Sequence, residues 1–147
     1  MSGSVLDLTA AEQLLVWSAR RWRHGRHGWE QVEAEFRRHL GAGWADALLA
    51  WEEALDLLHR WPTRLPLIAN GCETSVTLDE RRLLTCVALM RAGSPASTAV
   101  LVRHLAAAPE RAELVGALAR VASVSGPLPL AAPRRPAGDG PLRRAVS

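Results

Sequence analysis

Lysine is missing from this 147-residue chain, whose 18 strongly basic side chains are all arginine. That one-sidedness reads as the coding bias of a GC-rich, bacterial genome rather than as an adaptation to phosphate. Cysteine is scarce. Cys72 and Cys86 are too few for a disulfide scaffold, and a chain of this length does not need one to hold a core, so a reducing compartment is expected. No apolar run approaches the ~18 residues of a membrane-spanning helix, and residues 1–7 lack the basic start and apolar stretch of a secretory leader. The expectation is a cytoplasmic protein with no membrane partner. Internal repeats and strand-like alternation are also missing.

What is present suits a globular body. Hydrophobic residues make up 48% and charged residues 22% of the chain, enough apolar side chains to bury a core. The pI near 10 suggests a polyanion partner until the charge is divided. Residues 1–125 hold 14 Arg and 14 Asp/Glu, whereas 126–147 hold four Arg and only Asp139. The net charge therefore belongs to the C-terminal segment, where Pro127, Pro129, Pro133, Pro136 and Pro141 also interrupt any regular pairing. Residues 1–125 are expected to form one helical domain and 126–147 a disordered basic tail.

Six helices are expected in the body, making an all-α bundle. Thr9-Ala10-Ala11-Glu12 and Thr77-Leu78-Asp79-Glu80 are capping boxes, in which hydroxyl and carboxylate satisfy otherwise unpaired amides. The first opens a helix to about residue 24 with Leu14, Leu15, Ser18 and Trp22 inward, the second a helix to about 92 on Leu83, Leu84, Val87 and Met90. Trp29, Val32, Phe36 and Leu40 mark a helix over 29–40, and Trp44, Leu48, Trp51, Leu55 and Leu58 another over 44–60. Ser94-Pro95 starts a fifth helix, expected to reach about 107, and Pro109 a sixth that Gly126-Pro127 stops. Residues 62–76 form one long connection, unusual in a compact domain unless it has a role.

The densest chemistry lies at 20–29. Arg20, Arg21, Arg23, His24, Arg26 and His27 are interleaved with Trp22 and Trp29, and no acid interrupts them. Arginine beside exposed aromatics can hold a phosphate backbone and stack bases. The competing explanation is that both tryptophans face the core and the arginines complement a helix C-terminus. Cys72 follows Asn70-Gly71 in the long connection and is a candidate exposed thiol, with nothing in the sequence to activate it.

Other spacings point away from catalysis. His24 and His27 lack the cysteine pair of a structural zinc site, and Asp56 with His59 lacks the second copy that a di-iron bundle requires. Glu35 and His39 read as a solvated pair. The turn at 92–95 outlines a helix-turn-helix, but residues 95–107 offer one Arg and one His and so read as a core hairpin. No catalytic residue, metal or cofactor is expected, nor is an oligomeric state assigned. The expected function is a non-enzymatic helical protein-interaction module whose partner is another protein, met through residues near 20–29 and the connection 62–76. The alternative is nucleic-acid binding through 20–29 and the basic tail.

Overall fold

In the computed structural model, which describes residues 3–25, 27–61 and 64–124, both capping boxes are formed. Thr9 Oγ1 accepts from the Glu12 amide at 3.2 Å while Glu12 Oε1 accepts from the Thr9 amide at 2.9 Å, starting helix α1 (Ala10–Arg23). Thr77 and Glu80 do the same for α4 (Leu78–Arg91). Helix α2 (Trp29–Leu40) continues through a 3-10 turn, Gly41–Gly43, into α3 (Trp44–Leu58) without a non-helical residue between them. After α4 come α5 (Pro95–Val102), another 3-10 turn, Ala108–Glu110, and α6 (Arg111–Val124), and a further 3-10 turn, Val5–Asp7, precedes α1. The body is therefore all-α. Among the described residues its six α-helices form five unbroken helical runs, against about six helices expected. Among the described residues there is no strand, only an isolated antiparallel bridge between Ser4 and Ser75. Arg26 and the expected tail, 126–147, lie outside the described residues.

Helix α5 is shorter than its apolar pattern suggests. The amides of His104 and Leu105 donate only three residues back, to Leu101 and Val102, so the chain tightens out of the helix after Val102, and beyond that turn the Ala106 carbonyl accepts from Arg111 Nε at 3.0 Å. Leu105 and Ala106 still reach the interior. With Thr98 and Val102 buried, α4 and α5 form the expected core hairpin, and both pack on α6.

One apolar cluster joins the tryptophan-rich first half to the Leu/Val/Ala-rich second half. Helix α3 is its axis. It packs most extensively on α6 and also meets α1 and α2, burying Leu48, Trp51, Leu55 and Leu58 on the expected stripe. Burial of each such side chain contributes ~1.5–3 kcal/mol. The indole of Trp51 donates to Ser18 Oγ at 2.9 Å, and Ser18 donates in turn to the Leu15 carbonyl at 3.0 Å, so the polar edge of this ring is satisfied inside the core. Where α3 starts, Gly43 lies so close to α6 that a Cβ there would come within 2.5 Å of a Val124 methyl. No helix among the described residues is long and apolar enough to cross a membrane.

Candidate functional site

The connection between α3 and α4 is anchored almost entirely by side-chain charges. Residues 64–76 form no helix; Pro66, Ile68 and Val76 point inward while Leu65 and Leu67 face solvent. Arg20, from the last turns of α1, is only 3% exposed. Its Nε and Nη2 donate to the two oxygens of Glu80 at 2.8 and 2.9 Å, and its Nη1 and Nη2 also reach the Glu73 and Ser75 carbonyls at 2.6 and 2.9 Å. Glu80 also accepts from the Ala69 amide at 3.1 Å and the Thr77 amide at 2.9 Å. Asp79, fully buried, accepts from the Leu67 amide at 2.8 Å and pairs with Arg64 and Arg82. Across the loop the Val5 amide donates to the Thr74 carbonyl and the Val76 amide to Gly3, so the N-terminal residues close its other edge. The amides of Leu67, Ala69 and Val76 and the carbonyls of Ile68, Glu73, Thr74 and Ser75 are thus all held by groups that lie outside the loop.

Two of the four arginines at 20–29, Arg20 and Arg23, serve this framework. Arg20 has no exposed donor and leaves the set of side chains able to meet a partner directly. Arg23 is exposed but donates to the Ile68 carbonyl. Arg21 is half-buried, and its Nη2 donates to the Gly28 carbonyl at 3.2 Å. Gly28 adopts φ +72°, and a Cβ there would come within 2.5 Å of that same Arg21 nitrogen, so glycine both makes the turn into α2 and leaves room for the guanidinium. His24 caps α1 and, like His27, is exposed. The aromatic half of the base-stacking idea is withdrawn: Trp29 is in the core, and Trp22 packs against it with its ring 4.7 Å from that of His59.

Two of the sequence candidates do meet. Arg21 from α1 and Cys72 from the long connection line one surface groove of about 510 Å³, together with Trp17, Gln31, Ala34, Glu35 and Gly71. Trp17 supplies an apolar wall, with the Arg21 guanidinium carbon 6.0 Å from its ring centre. Glu35 stands on the α2 side with its Oε2 3.3 Å from His39 Nε2, and both side chains are largely covered rather than solvated as the helical pattern suggests. Burial of His39 outweighs the neighbouring carboxylate and lowers its pKa below the ordinary value. Trp17 and Gln31 were not legible as site residues. Trp17 lies beside the Leu14–Ser18 face and has no sequence neighbour that links it to residue 72.

Other candidates stay apart. Cys86 is buried, and desolvation pushes its thiol up to about 12, whereas Cys72 is exposed. His59 Nδ1 lies 2.7 Å from the Leu55 carbonyl, and Asp56 pairs with Arg60 at 2.6 Å. Among the described residues no three His, Cys, Asp or Glu side chains gather in a way that could hold a metal ion. No protein-family model, curated protein or solved structure matches the chain.

Proposed function

We propose that this chain is a non-enzymatic protein-interaction module whose contact face runs from the Arg21–Cys72 groove onto the outer side of the 64–76 loop. The observation that supports this reading is the meeting of two segments some fifty residues apart in one groove, around Arg21 and Cys72. The loop has the properties of a binding element. Buried charges have already ordered it, so engaging a partner requires little further loss of backbone entropy. It also carries two of the most exposed large apolar side chains in the body, Leu65 at 77% and Leu67 at 59%.

The exposed thiol provides a direct test. Cys72 would be tagged with a maleimide photo-cross-linker and irradiated in host lysate, beside a control carrying Cys72→Ser and Ala99→Cys, which moves the tag to the exposed face of α5. A discrete adduct formed from Cys72 and not from position 99 supports the reading. Identical adduct patterns from both positions, or no adduct above background at Cys72, would remove it.

A further inference from the structure

Carboxylates and guanidinium groups are sorted by depth beneath the 64–76 loop. Asp79 and Glu80 are 0% and 1% exposed, whereas Arg64 and Arg82, which neutralise Asp79, keep 31% and 22% of their side chains in solvent, and Arg23, also exposed, lines a surface pocket with Glu73 and Leu78. Glu73 is the only acid within 64–76. The outward surface is thus positive although ion pairs dominate its interior. Leucines sit among these arginines. Thr77 donates to the Leu67 carbonyl, which ties the backbone at Leu67 to the start of α4, where the exposed Leu78 is the next residue; Leu65, two residues before Leu67, is exposed as well. Arg82 follows Leu78 by one helical turn.

We infer that this Leu65–Leu67–Leu78 surface, rimmed by Arg23, Arg64 and Arg82, receives an acidic amphipathic segment of the partner, with apolar side chains on the leucines and carboxylates on the arginine rim. The inference rests on the interaction reading above and gives the partner a chemistry. Apolar contact supplies most of the affinity in such docking, while charge sets orientation and rejects basic competitors. A nucleic-acid strand fits less well. A polyanion track needs charge without interruption, whereas the exposed side chains between these arginines are leucines, which give phosphates nothing.

The test uses two fluorescein-labelled amphipathic helical peptides of identical leucine spacing, one with glutamate and one with lysine on the polar face, titrated with the full chain and read by anisotropy. The glutamate peptide is expected to bind about tenfold or more tighter than the lysine peptide, and to weaken as salt is raised. Leu65→Ser with Leu67→Ser should reduce that binding by about tenfold, since both side chains are exposed and their loss leaves the core intact. Glu73→Gln should strengthen it by a few-fold. Thermal melting of each variant confirms that the fold is kept, and Leu78→Ser provides an independent third leucine. Equal binding of the two peptides, or binding indifferent to all three leucines, overturns the inference. So does a single-stranded oligonucleotide that displaces the glutamate peptide and binds the leucine variants undiminished. If Cys72 cross-links a partner while the glutamate peptide fails to bind, the partner chemistry falls and the interaction reading stands; if both fail, both fall.

Discussion

The Arg20 guanidinium and the Glu80 carboxylate form a two-pronged ion pair at 2.8 and 2.9 Å, sealed from solvent and spanning sixty residues of sequence. Each group depends on the other, because a buried charge without its partner is far costlier than a buried pair. Glu80→Gln keeps the shape but strands the guanidinium, and is expected to destabilise the fold by about 3–5 kcal/mol, a large part of the ~5–15 kcal/mol typical of a domain. Urea denaturation gives the value. Arg20→Met combined with Glu80→Gln should recover part of the loss, since the amide oxygen left at position 80 still accepts from a backbone amide of the capping box, and a double variant worse than the sum of the single ones would show that the pair is not the stabilising unit.

The polar contact in the core allows a sharper comparison. Ser18→Ala leaves the Trp51 indole N–H buried with no acceptor and should cost about 1–3 kcal/mol, although it removes only one oxygen. Chemical denaturation followed by tryptophan fluorescence measures it. A change below a few tenths of a kcal/mol would mean that the indole finds another acceptor.

The two thiols should separate cleanly. At pH 8 one thiol per native chain, Cys72, is expected to react with a thiol reagent, while Cys86, buried and pushed up to about 12, reacts only after denaturation. Colorimetric titration before and after adding guanidinium chloride counts them. Two fast thiols in the native protein would contradict the burial of Cys86.

Acidification should act through His39. Burial holds its folded pKa below the unfolded value of about 6.5, so between the two values the unfolded chain binds the extra proton. Stability attributable to this residue is therefore fully present above about pH 6.5 and declines as pH falls through that value. Unfolding free energies measured across this window should drop less steeply for His39→Gln than for the unmodified chain. An NMR titration placing the His39 ring above 6.5 would reverse the sign.

Much of the scaffold was legible because it is local. Thr9 and Thr77 announce helix starts through partners three residues away, and the stripes of α2 and α3 are periodic. The end of α5 was not, since the chain tightens into three-residue turns after Val102 while Leu105 and Ala106 keep the apolar pattern going. The site was read only in part. Arg21 and Cys72 stood out by composition, but composition alone does not separate Arg21 from Arg20, of which one lines a groove and the other is a buried fastener. Gln13, Val16 and Arg20 fall at helical spacing and are all buried, so a second stripe on α1 was available as a signal. It was obscured because two of its three members are polar. Glu80 was recognised as a capping residue, and its second partner, Arg20, could be found only in three dimensions.

Those two adjacent carboxylates have a kinetic consequence. The amides of Leu67, Ala69 and Thr77 are held by Asp79 or Glu80, so side chains do for this loop what a neighbouring strand does in a sheet. Hydrogen exchange at the three positions should proceed through one shared opening, in step with the first turn of α4, rather than at the independent rates of an ordinary surface loop. Exchange in step would make the loop and that helix end a single cooperative unit.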